Sequence, residues 1–140
     1  MIGWTAAGGN LLHPHIVIIA FLFFIGQIPH FWLILLNNAG DYEKAGFPTL
    51  AQLFSKDQIA NLTLAWIFAT AMAAVMMVIF GIFANQLISI IVLSLAVFFI
   101  LSFYNWMGKN KQVNPKRAFI VLNVFYLSIM AALVADAILR

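Results

Sequence analysis

Residues 15–36 read HIVIIAFLFFIGQIPHFWLILL, an apolar run broken only by an amide, a proline and an imidazole. At about 1.5 Å rise per residue the run covers about 33 Å, enough to cross a hydrocarbon core of about 30 Å. Its apolar residues do not alternate with period two, so it reads as a helix and not as a barrel strand. Three runs of the same kind follow, about 59–83, 86–107 and 118–139, and within the four only Asp136 carries a full charge. The chain of 140 residues is 65% hydrophobic and 8% charged, which argues against a water-soluble domain. The fold class is therefore all-α: a polytopic transmembrane helical bundle with four full spans, in one membrane domain over 1–140.

Charge placement orients the spans. The connection 108–117 carries Lys109, Lys111, Lys116 and Arg117 with no acid, whereas Ala84-Asn85 is an uncharged tight turn. Lysine and arginine near span ends mark the cytoplasmic side. Loops 108–117 and 37–58 are then cytoplasmic, Ala84-Asn85 and both termini lie outside, and the location is the inner (cytoplasmic) cell membrane. Ile2-Gly3-Trp4 reads as the outer end of a helix begun before this chain, and residues 1–10 lack the basic leader of a secretory signal. The chain has no cysteine, so disulfide and thiol chemistry are excluded.

This orientation sorts the polar residues of the spans. Gln27, His30, Asn61, Thr63, Tyr104, Asn105, Asn123 and Tyr126 fall in the cytoplasmic halves, as a cavity opening to the cytoplasm requires. Thr70, Ser89 and Ser94 fall in the outer halves, where each can bond a carbonyl one turn back. For Tyr104, Asn105 and Trp106 the plainer reading is an interfacial belt. Gln27 and His30 lie three residues apart and share a helical face. Pro29 removes a backbone donor and Gly26 offers no resistance to bending, so a kinked helix with both side chains facing the bundle interior is expected. An interhelical hydrogen bond is the alternative role for His30.

Beyond the first span lies a loop of mixed charge. Asp41 and Glu43 are the residue types that hold a hard cation such as Mg²⁺ together with phosphate oxygens. Lys44 can meet phosphate as a point charge and the Tyr42 hydroxyl can donate to it. Gly46 and Pro48 shape a turn, and 49–54 reads as a short lid helix. The ordinary alternative is a solvated loop. His13 and His15 flank a helix-starting proline better than they make a metal pair. Asp136 stands four residues before Arg140 and can pair with it. Met72, Met76 and Met77 read as packing.

Gln27-Ile28-Pro29-His30-Phe31, followed by Asp41-Tyr42, Ala45-Gly46 and Pro48, resembles the heme O synthases (protoheme IX farnesyltransferases) among the UbiA-type intramembrane prenyltransferases. The specific part is 27–50; the other spans match only as apolar helices. The resemblance implies a nine-span fold of which this chain is the C-terminal portion, without the N-terminal half and its principal acidic motif. It also implies transfer of farnesyl from farnesyl diphosphate to a vinyl group of heme B, with Mg²⁺ on the diphosphate. Asp41, Tyr42 and Lys44 would then serve the diphosphate, with Mg²⁺ near Asp41 and Glu43. Gln27, His30, Asn61 and Asn123 would meet the acceptor, with His30 a candidate ligand of its iron. The chain departs from the family's pattern at Gly26, where a bulky aromatic is usual, and at Thr49, where methionine or valine is usual. Half of a two-loop active site is expected to be inactive alone. A quinone-type acceptor, a non-catalytic membrane scaffold and, last, a transporter are the competing readings.

Overall fold

The computed structural model describes residues 2–46, 49–110 and 114–139, all side chains included except those of 50, 51, 56 and 105–110. Expectations placed on Pro48, Lys111 and Arg140 fall outside the described residues, and those on Asn105, Trp106 and Lys109 fall on side chains outside them. Among those described, every regular element is a helix: α1 Ile2–Ala6, α2 Pro14–Asn37, α3 Ala39–Lys44, α4 Leu50–Leu53, α5 Lys56–Ile79, α6 Gln86–Asn110 and α7 Pro115–Leu139. Four of them, α2, α5, α6 and α7, are long and apolar enough to cross a membrane.

Local chemistry sets their ends. Pro14 takes the first turn of α2, where its missing donor is harmless, and His13 Nδ1 accepts from the His15 amide at 3.3 Å as the cap. Pro14 between two histidines is thus a helix start. α5 begins with a capping box, in which Ser55 and Gln58 each accept from the other's backbone amide. Its end corrects an expectation: α5 stops at Ile79, not near Phe83. Gly81 stands at φ +67°, and its amide bonds Val78 O while the Ile82 amide bonds Met77 O. That double closure is a Schellman motif, and the buried side chain of Ile82 seals it. The connection is therefore 80–85 and not the two residues Ala84-Asn85. The loop 37–58 contains α4, within the short helix expected over 49–54, and also α3, which was not expected.

The four long helices form a ring: α2 packs on α5 and α7, and α6 packs on the same two. Ring contacts give the direction of α7 relative to its neighbours. Tyr126 sits against Gly26 while Phe119 sits against His30, so α7 runs antiparallel to α2. The interior is filled by Leu22, Leu33, Ile67, Met77, Phe99, Phe103, Leu122 and Phe125, with Phe99 and Phe125 stacked at 4.2 Å. Met77 belongs to this core, whereas Met72 and Met76 are exposed on the outer face. Thr70, Ser89 and Ser94 satisfy their hydroxyls on the carbonyls of Trp66, Asn85 and Ile90, as expected for hydroxyls in apolar helices.

Asp136 has a clearer role than a surface ion pair. Its side chain is buried, and its two oxygens accept from the amides of Ala84 at 3.1 Å and Asn85 at 2.8 Å. A carboxylate on the last turn of α7 therefore holds the amides just before α6, where the helix dipole favours negative charge. The charge pinning α7 to the α5–α6 connection is a tertiary cap.

The topology implied by the loop charges is checked with two cysteines. Placed at exposed Gln86, a cysteine should react with a membrane-impermeant thiol reagent in intact cells. At exposed Lys116 it should react only after permeabilisation. The reverse labelling would invert the orientation.

Candidate functional site

Leu22, Gly26, Pro29 and Leu33 recur at three- and four-residue steps and form the buried stripe of α2. Ala118, Leu122, Phe125 and Ile129 do the same for α7. Gln27 and His30 each follow a stripe residue by one position, as Asn123 and Tyr126 do on α7, so each projects about 100° round from its stripe. The four side chains meet along the outer seam between α2 and α7. This corrects the expectation that Gln27 and His30 face the bundle interior. The small residues Gly26 and Pro29 mark the contact face, and the polar ones beside them are turned out of the ring.

The seam holds an open cleft of about 320 Å³ lined by Phe23, Gly26, Gln27, His30, Phe31, Asn123 and Tyr126. Its walls are aromatic. Phe23 stacks on Tyr126 with centroids 5.8 Å apart, and His30 lies 4.9 Å from Phe119. Gly26 makes the close approach possible, because a Cβ there would fall on the Tyr126 hydroxyl. That hydroxyl donates to Leu22 O at 3.4 Å. An apolar hollow of about 410 Å³ continues along α2 past Ile16, Ile19, Ala20 and Phe24, sharing Phe23 and Gln27 with the first.

Polar satisfaction in the cleft is incomplete. Asn123 donates to Phe119 O at 2.7 Å, but its carbonyl oxygen has no partner among the described residues. Gln27 has none there, and His30 makes ring contacts but no hydrogen bond. The interhelical hydrogen bond weighed for His30 is thus not formed among these residues. Hydrocarbon cannot satisfy such groups, and each left unmet costs on the order of several kcal/mol. This seam is not an ordinary lipid face. Asn61 does not join it: the side chain is exposed on α5 and lines neither hollow.

The acidic loop is a separate feature, at the end of α2 about 10 Å beyond His30. Asp41 and Lys44 are strongly exposed and pair at 3.7 Å. Tyr42 is partly exposed and has an interaction of its own. Glu43 accepts from the Thr49 hydroxyl at 2.9 Å. Asp41 and Glu43, two apart on α3, project about 200° from one another. Among the described residues no three His, Cys, Asp or Glu side chains gather as a metal site. Among the described residues Asp41 and Glu43 are turned to different partners and do not converge on one point.

Sequence reasoning found Gln27, His30 and Asn123 but missed the walls. Phe23 and Phe119 were not singled out, and Tyr126 was only one polar residue among several. The available signal was phase: 123 and 126 repeat the spacing of 27 and 30, each one step off a buried stripe.

A cleft carrying amides and an imidazole between membrane-length helices is a fitting place for chemistry on a lipid-soluble substrate. Comparison with known proteins agrees with that class. Residues 1–130 match the UbiA prenyltransferase family, and the chain belongs to it. It is a multi-pass membrane protein of that family. The chain is 29% identical to the protoheme IX farnesyltransferase of Mycobacterium sp. (strain KMS) over 99% of its own length and 44% of that protein's. It is 30% identical to the protein of that name from Oleidesulfovibrio alaskensis, over 96% of this chain and 45% of the relative. With the one from Geobacter sulfurreducens it shares 33% identity over 62% of this chain and 32% of the relative. The chain thus spans under half the length of these curated relatives. No solved structure matches it.

Proposed function

We propose that this chain forms the acceptor side of an intramembrane prenyltransferase that moves farnesyl from farnesyl diphosphate to a vinyl group of heme B, giving heme O. The observation that carries the reading is the aromatic-walled seam with unmet polar groups at Gln27, His30 and Asn123. A flat, hydrophobic acceptor with polar edges fits such walls, and the names of the relatives point to protoheme IX. The open side of the seam would be closed by the N-terminal half of the fold.

The roles divide by chemistry. Phe23, Tyr126 and Phe119 offer faces for stacking. The Gln27 and Asn123 amides offer hydrogen bonds to the acceptor's edge, and His30 offers a nitrogen to its iron or a donor to its carboxylates. At the loop, Lys44 and Tyr42 meet the diphosphate as it leaves with the electron pair of the broken allylic C–O bond. Asp41 holds Lys44 in place. Apolar surroundings keep water from the allylic cation until it bonds the terminal vinyl carbon; a water then adds to the cation left beside the porphyrin ring and loses a proton, giving the hydroxyl of heme O. Mg²⁺ is assigned to no residue of this chain; any ion on the diphosphate would be held by the other half. The second reading is a membrane scaffold without turnover.

Restoration decides between the two. In a host lacking its own synthase, this chain alone should give no heme O, and co-expression with the N-terminal half of a relative should restore it. In the restored enzyme, His30→Ala should raise the heme B requirement about tenfold or more and leave the farnesyl diphosphate requirement unchanged. Activity of the isolated chain, or a shift in the donor titration alone, would overturn this division. No product from any combination would favour the scaffold.

A further inference from the structure

We propose that Glu43 and Thr49 form a clasp that positions the acidic loop, and that Glu43 is a positioning residue and not a ligand of any cation bound there. The inference does not depend on which substrate the protein transfers. Its starting point is a hydroxyl that behaves unlike the others. Thr63 and Thr70, also buried, return their hydroxyls to carbonyls one turn back in their own helix. Thr49 is only 5% exposed, yet its hydroxyl crosses six residues to Glu43 Oε1 at 2.9 Å. A buried donor must be matched, and a carboxylate is the stronger acceptor to match it with.

What the bond accomplishes follows from the packing of its two ends. Thr49 immediately precedes α4, which packs on α2 and α5, with Trp32 and Phe54 in ring contact at 6.1 Å. Thr49 O also accepts from the Gln52 amide and so belongs to the first turn of α4. α3, by contrast, buries no residue, so apolar packing does not fix its position. The Glu43–Thr49 bond ties this unburied helix to an anchored one. Asp41, Tyr42 and Lys44 ride on α3, so the clasp sets where the loop presents its charge. It also gives a reason for threonine at 49: methionine or valine has no hydroxyl to offer.

A metal ligand and a clasp respond differently to substitution. The carboxamide of Glu43→Gln still accepts from a hydroxyl but binds a hard cation poorly. The test is backbone amide hydrogen exchange on the 140-residue chain in nanodiscs, read at 39–54, with α5 and α6 as the control for folding. Glu43→Ala and Thr49→Val should each speed exchange across the loop about threefold to tenfold, the range set by one net hydrogen bond. Glu43→Gln should stay within about twofold of the parent, and the double variant should be no faster than either single one. Addition of MgCl₂ alone should affect the parent and Glu43→Gln alike. The proposal is overturned if Glu43→Gln behaves as Glu43→Ala does, or if Thr49→Val leaves the loop unchanged. It is equally overturned if MgCl₂ protects the parent loop and Glu43→Gln abolishes that protection. The pair at position 43 carries the test without disturbing buried Thr49.

Discussion

Asp136→Ala is expected to destabilise the bundle by about 3 kcal/mol, since bonds from backbone amides to a charged acceptor contribute about 1.5 to 3 kcal/mol each. Two such bonds are lost, at Ala84 and Asn85, and the released amides recover part of the cost by meeting water or headgroups. The effect should be specific to one end of the molecule. α7 would lose its hold on the α5–α6 connection, while the seam near His30, toward the opposite end of α7, would keep its shape. Asp136→Asn retains one good acceptor oxygen and should cost about half as much. The measurement is reversible unfolding in mixed micelles, paired with amide exchange at 82–90. Asp136→Ala within about 0.5 kcal/mol of the parent would show that the carboxylate is not holding the connection.

Asp136 also illustrates what could be read from the chain before its structure. That a lone carboxylate near a span end needs a partner was legible, because a bare charge at that depth is costly. Which partner was not. Arg140, one helical turn away, is visible in sequence, whereas the amides of Ala84 and Asn85 lie some fifty residues earlier in the chain. The four spans were legible for a simpler reason: a bilayer demands length and apolarity, and little else in a sequence satisfies both. The end of α5 was not, since Ile82 and Phe83 continue the apolar run and only the left-handed backbone of Gly81 ends the helix before them. Hydropathy cannot see a backbone angle.

The candidate site divides along the same line. Gln27, His30 and Asn123 stood out as polar residues in apolar helices, and the structure brings them to one cleft. Their direction was misjudged because the face of α2 that packs could not be read: Gly26, in the buried stripe, lets Tyr126 of α7 come close, and the polar residues one position on are turned out of the ring. Asn61 satisfied the same criterion of polarity and depth but lies on another helix face. In the loop, charges were legible and pairings only in part: Asp41 with Lys44 follows from helical spacing, but no spacing rule pairs Glu43 with Thr49 six residues on.

The approach of α7 to α2 is itself testable at Gly26. Gly26→Ala adds one methyl group to a helix interior, where intrinsic propensity alone would favour alanine by about 0.5 to 1 kcal/mol. Packing opposes it. The added Cβ would fall on the Tyr126 hydroxyl, and the ring is held by Leu22 O and the face of Phe23. Overpacking of this kind costs about 1 to 3 kcal/mol, so a net loss of about 1 to 2 kcal/mol is expected, and Gly26→Leu should cost more. Tyr126→Ala removes the obstacle. In that background Gly26→Ala should become neutral or favourable, leaving only the propensity gain, and the coupling between the two positions should exceed about 1 kcal/mol. Unfolding titrations of the four proteins in mixed micelles give the cycle. Additive costs would mean that Tyr126 does not occupy the space above Gly26, and the floor of the cleft would then have to be built from other residues. Coupling of the expected size would instead tie the depth of the cleft to a pair of residues, one on each helix, with glycine at 26 required by the tyrosine it faces.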